Sequence, residues 1–155
     1  MTRLVPFVAA LFACTTFHGV TVTQPPQGNP NYTPAADSVQ PTLRWEPVEG
    51  ATYDLIVFLG VGHDRDFWNK EEYVPGSRVY YREGLAAAEH RLEQPLEYDT
   101  RYFFSVRTRK DGKVSAWSRY DWTMFAVVAY SFARNVPFTF RTPKKDVPAA
   151  TTQGN

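Results

Sequence analysis

The chain has 155 residues, 43% hydrophobic and 15% aromatic, enough for one buried core and too few for two. Its 17 basic and 16 acidic residues nearly cancel, so no bulk charge calls for nucleic acid or for an acidic partner. A single cysteine excludes an intrachain disulfide, and twelve prolines, concentrated in the first third and at the C-terminus, predict irregular ends around one compact unit.

Arg3 is followed by the apolar run Leu4–Ala13, broken only by Pro6. Such a run is too short to span a bilayer as a helix but suits the apolar region of a secretory signal. It ends at Leu11-Phe12-Ala13-Cys14. This resembles the lipobox of bacterial lipoproteins, with Leu three before the cysteine, a small residue one before, and a Cys that is lipidated and becomes the mature N-terminus. The resemblance implies a signal peptide over 1–13 and membrane attachment through lipid on Cys14. A plain cleaved signal and an ordinary buried thiol are the alternatives. Thr15, where Asp would retain a lipoprotein at the inner membrane, resembles the sorting pattern for the outer membrane of Gram-negative bacteria and implies an anchored protein facing the periplasm. Loss of Arg3 with the signal leaves 16 basic residues (17 − 1) against 16 acidic.

Between Thr15 and Asp37 the sequence Gln24-Pro25-Pro26-Gln27-Gly28-Asn29-Pro30-Asn31, with Pro34, predicts extended, poorly packed chain. We read 14–36 as a lipidated N-terminus and flexible tether, with Val20-Thr21-Val22 as the alternative, a first edge strand. Val39–Glu46 reads as a strand with Leu43 and Trp45 on one face, stopped by Pro47. Glu49-Gly50 turns the chain into a second strand, in which Tyr53, Leu55 and Val57 alternate with Asp54 and Ile56.

Gly60–Ser77 is longer than a turn needs. His63, Asp64, Asp66, Glu71 and Glu72 are ligand types without an established ligand spacing, so the segment reads as a solvated loop and no metal or other cofactor is expected. Gly60-Val61-Gly62 lacks the lysine and helix of a phosphate loop. Ser77–Leu85 reads as a further strand and Ala86–Glu89 as a short loop or helical turn.

The richest stretch is Leu96–Ser118. Tyr102, Phe104, Val106 and Thr108 fall on one face, and Phe103, Ser105, Arg107 and Arg109 on the other, the period of a strand packed on a core. Asp111-Gly112 tolerates the positive φ of a tight hairpin, so the chain reverses into Val114–Ser118. The corner Leu96-x-Tyr98-x-Thr100-x-Tyr102 resembles the Leu-x-Pro-x-Thr-x-Tyr corner of fibronectin type III domains, with Tyr98 in place of proline. Ser115-Ala116-Trp117-Ser118 resembles the Ser-x-Trp-Ser of that family, and Pro41–Tyr53 resembles its B strand, B–C turn and opening C strand. The resemblance implies an all-β, immunoglobulin-like (fibronectin type III) β-sandwich over 37–143, with Leu96, Thr100 and Tyr102 as its structural corner and the Tyr102 hydroxyl bonded back to nearby backbone.

Arg119–Pro137 is extra to that pattern, because the family's Phe-x-Thr ending is matched only at Phe140-Arg141-Thr142. The insertion contains the apolar run Met124–Phe132, which reads as a buried strand or a short apolar helix. Trp122, Phe125, Tyr130 and Phe132 are the candidate binding residues, either completing the core or forming an exposed patch. Residues 144–155 read as a disordered tail.

His18, His63 and His90 form no nucleophilic or acid–base constellation with a Ser or Asp, so no catalysis is expected. The function these features imply is a membrane-anchored envelope lipoprotein acting as a non-catalytic protein-interaction or structural module, with an envelope protein as partner. The alternative is a carbohydrate-binding module of the envelope that stacks a glycan on Trp68, Tyr73, Trp117 and Trp122. Arg101, Arg107 and Arg109 read as outward charges, either solvated or facing an acidic partner or lipid headgroup.

Overall fold

In β7 (Arg101–Lys110) the alternation read from the sequence becomes the centre of the fold. Tyr102, Phe104 and Val106 are at most 2% exposed. The computed structural model describes residues 11–28, 32–61, 74–126 and 130–145. They contain eleven strands and no helix, so the fold is all-β, built from several antiparallel sheets and consistent with a β-sandwich. The loop residues His63, Asp64, Asp66, Trp68, Glu71, Glu72 and Tyr73, residues 1–10 of the expected signal and residues 146–155 of the expected tail lie outside the described residues.

β7 pairs with β4 (Thr52–Val61) on one side and with β11 (Phe138–Arg141) on the other. β4 pairs in turn with β5 (Val74–Leu85), giving the order β11-β7-β4-β5. β5 begins at Val74, ahead of the Ser77 that the sequence suggests, so strand pairing claims part of the long loop. A second sheet has the order β2-β3-β6, from β2 (Val22–Gln24), β3 (Thr42–Trp45) and β6 (Glu89–Arg91). Leu43, Trp45, Val22 and Leu92 from that side join Tyr53, Leu55, Val57, Phe104 and Phe140 in one buried cluster. Each large apolar side chain so buried contributes about 1.5–3 kcal/mol, and this replaces the disulfide that one cysteine cannot make. Trp45 is edge-on to Tyr53 with ring centroids 5.3 Å apart.

Asp111 and Gly112 both have positive φ, 50° and 72°, so the turn from β7 to β8 (Lys113–Val114) matches the twist of its strands. Beyond β8 the chain follows β7 without regular pairing, and the serines of Ser-Ala-Trp-Ser hold it there. The Ser115 and Ser118 N–H groups donate to Thr108 O and Val106 O at 2.9 and 2.8 Å. Their hydroxyls accept from Thr108 N and Val106 N at 3.0 and 3.1 Å. Each serine thus serves one β7 residue twice, which satisfies the backbone of a buried central strand without a ladder.

The insertion is then a hairpin, β9 (Arg119–Ala126) with β10 (Tyr130–Val136), rather than a helix. Pro137 follows β10 without an N–H to extend that ladder, and β11 resumes beside β7. The other side of β9 is taken by β1 (Leu11–His18), giving a separate sheet β1-β9-β10. Gly19, with φ 79°, ends β1, and a Cβ there would stand 3.3 Å from Ser118 Cβ. The entry from β1 and the departure into β9 therefore touch at one point.

The prolines predict a flexible tether over 14–36, and here the structure corrects the sequence reading. Val20 and Val22 are 3% exposed, and β2 pairs with β3. Gln27 accepts from Thr139 N–H at 3.1 Å and donates to Thr139 O at 3.0 Å, so one side-chain amide mimics a neighbouring strand. Ala36 N–H donates to Arg141 O and Arg141 N–H to Pro34 O, both at 2.8 Å. These contacts cover the free edge of β11, which would otherwise offer unpaired backbone groups to another chain.

Candidate functional site

Cys14 lies within β1, opposite Thr123 of β9, so the residue with the lipobox resemblance belongs to a paired strand and not to a loose terminus. Leu11–Ala13, the last residues of the expected signal, occupy the first positions of the same strand, opposite Ala126–Met124. The two ladders of β9 define rows across three strands. The row at the hairpin end is Leu11–Ala126–Tyr130, and the Cys14 row is Cys14–Thr123–Ala133. From the first to the second of these no residue is charged. The rows behind Cys14 contain Arg134, then Asp121, then Arg119 with His18. Trp122 and Phe125 stand in β9, and Tyr130 and Phe132 in β10, so the candidate binding residues share one hairpin. Their side chains lie outside the described residues. The base of the hairpin joins the main core through Tyr120, which is 1% exposed and stacks on Phe138 at 5.6 Å.

The corner residues are brought together around one hydroxyl. Tyr102 Oη accepts from Glu97 N–H at 3.1 Å, and its ring stacks on Phe140 with centroids 5.6 Å apart. Burial pushes the Tyr102 hydroxyl above its ordinary pKa, so it stays protonated. Leu96 N–H donates to Val39 O at 2.8 Å, and Thr100 N–H to Thr142 Oγ1 at 3.0 Å. Thr142, the threonine after β11, also donates to Glu97 O at 2.6 Å. A second clamp of the same offset was not legible as one: Tyr53 Oη accepts from Val48 N–H at 2.6 Å, again five residues upstream, and holds the turn before β4. The available signal was a tyrosine at the first inward position of a strand, in both β4 and β7.

The outward arginines find their acid inside the domain. Asp54 is 0% exposed although it lies on the outer face of β4. Arg107 Nε and Arg109 Nε each approach its carboxylate at 2.7 Å, and Gly84 N–H donates at 3.2 Å. Burial pushes the carboxyl up, but these hydrogen bonds together outweigh it and hold Asp54 below its usual range. The Arg107 guanidinium also lies 4.4 Å from the Trp117 ring centroid, and Tyr81 meets Trp117 edge-on. One face of Trp117 is therefore occupied by the protein's own cation. Arg101 is 6% exposed and stacks over Phe103, so it is not an outward charge at all.

His90 Nε2 lies 2.5 Å from Tyr80 Oη, a link between β6 of one sheet and β5 of the other. Burial lowers the His90 pKa and favours the neutral ring. A cleft of about 240 Å³ beside the corner is lined by Leu59, Tyr80, Pro95, Leu96 and Tyr102 among others. Among the described residues no group of three or more His, Cys, Asp or Glu could hold a metal ion, and no helix is long and apolar enough to cross a membrane. No protein-family model, curated protein or solved structure significantly matches the chain.

Proposed function

We propose that this chain is a lipid-anchored protein of the bacterial cell envelope, in which a fibronectin type III-like domain serves as a non-catalytic interaction or structural module. The observation that carries the reading is the single cysteine, preceded by Leu11-Phe12-Ala13 at the end of an apolar run. Given the β1–β9 pairing, a lipid on Cys14 would be attached to a strand of the folded unit and would set the orientation of the whole module. The domain assignment is supported by the order β11-β7-β4-β5 beside β2-β3-β6 and by the Tyr102 hydroxyl bonded back to the corner. Delivery to the outer membrane, facing the periplasm, follows from Thr15. In this reading the β9–β10 hairpin, which is extra to the sandwich pattern, is the contact element, and Gln27 and Pro34–Ala36 keep the neighbouring edge of β11 covered.

Metabolic labelling with a fatty-acid analogue tests the anchor. The wild-type chain should incorporate label and be cleaved before Cys14, whereas Cys14→Ser should remain an unlabelled, uncleaved precursor. Equal labelling of the two proteins refutes the assignment.

A further inference from the structure

β11 is a short edge strand whose outward backbone groups are all taken by a segment from the other end of the chain. Phe138 stands opposite Phe104 and Phe140 opposite Tyr102 of β7, and antiparallel alternation turns the N–H and C=O of Thr139 and Arg141 the other way. Gln27 takes both groups of Thr139, at 3.1 and 3.0 Å, and Pro34 and Ala36 take both groups of Arg141, at 2.8 Å each. The bridge between Ala35 and Arg141 is parallel and isolated, so one side-chain amide and one bridge hold this edge in place of a ladder. We propose that Gln27 and Pro34–Ala36 form a guard strap, and that its release lets β11 pair with β11 of a second copy of this chain about a two-fold axis at Phe140. This goes beyond the envelope reading and does not depend on the lipid.

Register selects that partner. With Phe140 opposite Phe140 of the copy, Thr139 falls opposite Arg141 of the copy and Arg141 opposite its Thr139. Residues that turn their groups outward then face each other, and each such pair exchanges both N–H···O bonds. Every group that the strap had satisfied is satisfied again, on both copies. The neighbouring two-fold registers set Thr139 or Arg141 opposite Pro137 or Pro143, which have no N–H to give. In the favoured register the same two prolines meet at the next outward position, 137 against 143, so the ladder stops there and the contact closes as a dimer. Phe-Thr-Phe is also aromatic and β-branched, a run of strong strand formers. Phe140 lies on the core side, and its Cα would stand about 4.5 Å from that of its copy, which joins the two cores across the axis. The strap prevails in the wild-type chain because it belongs to the same molecule and competes at an effective concentration of roughly millimolar order.

Two substitutions in the full chain open the edge. Gln27→Ala removes both bonds to Thr139, and Ala36→Pro removes the N–H that Arg141 O accepts. Sedimentation over a concentration series, with every protein in the same detergent, should show the double variant dimerising with a dissociation constant at least roughly ten-fold below that of wild type, the effect of taking hydrogen bonds of ordinary strength from the competing strap. Thr139→Pro in the same background should restore the monomer, because it removes an outward donor and leaves Phe138 and Phe140, the residues that bond to β7, unchanged. A double variant that stays monomeric, or a dimer that survives Thr139→Pro, overturns the proposal. Hydrogen exchange of the wild-type chain is a second reading that needs no variant. The Thr139 and Arg141 amides should exchange through local release of the strap, roughly ten-fold or more faster than those of Leu55 in β4 and Val106 in β7. Exchange of all of them only through global unfolding makes the strap inseparable from the core and overturns the proposal as well.

Discussion

Tyr102→Phe removes one oxygen and leaves the ring, so it isolates the clamp from the packing. The hydroxyl accepts a hydrogen bond from Glu97 N–H at 3.1 Å. Glu97 is on an exposed part of the corner, so its N–H regains water when the oxygen is lost, and the cost should lie at the low end for such a bond, about 1 kcal/mol. Tyr102→Ala also empties a site that is 2% exposed and unstacks Phe140, and should cost about 3–5 kcal/mol. Tyr53→Phe should resemble Tyr102→Phe, because its partner Val48 is likewise exposed. The register places Tyr53 opposite Thr108 and Tyr102 opposite Leu59, so the clamps lie some six residues apart along the β4–β7 pair, about 20 Å. At that separation the two Phe substitutions should add, giving about 2 kcal/mol for the double variant. Urea unfolding followed by tryptophan fluorescence measures all four proteins. A Tyr102→Phe midpoint equal to wild type, or a double variant no worse than either single one, would refute the idea of two independent clamps.

Asp54→Asn should lower the urea midpoint near neutral pH, and the gap from wild type should narrow on acidification. The folded-state carboxyl is held below its usual range, so its contribution is complete above the ordinary carboxylate pKa and is lost as pH falls through the folded value; a gap that widens in acid contradicts this. For His90 the folded pKa is again lowered, here by burial. Its contribution is complete above the unfolded value of about 6.5 and declines as pH falls from there toward the folded pKa. Wild type should therefore lose more stability than His90→Gln between neutral and mildly acidic pH, and parallel pH profiles for the two would show that His90 does not titrate on unfolding.

Strand identity was readable wherever the pattern is local. The period-two faces of β4 and β7, the Asp111-Gly112 turn and the stop at Pro47 each depend on fewer than a dozen neighbouring residues, and local sterics and alternation decide them. Met124–Phe132 marks the limit of that reading, since a short apolar run suits a strand or a helix equally; pairing with β1 on one side and a hairpin return on the other made it two strands. Distance along the chain explains the rest. Asp54 meets Arg107 and Arg109 across 53 and 55 residues, and Gln27 meets Thr139 across 112, so nothing near any of these residues announces its partner. A proline-rich stretch looks like a tether because proline removes ladder donors, yet β2 needs only three residues and Gln27 only one side chain to be held. Sequence alone thus determined the strands that carry a local alternation, β4 and β7 above all, and which of their residues face the core. Tertiary packing decided where the outward arginines spend their charge, what covers the edge of β11, and that the lone cysteine stands in a strand beside the apolar hairpin, because register between distant strands is settled only when all of them pack at once.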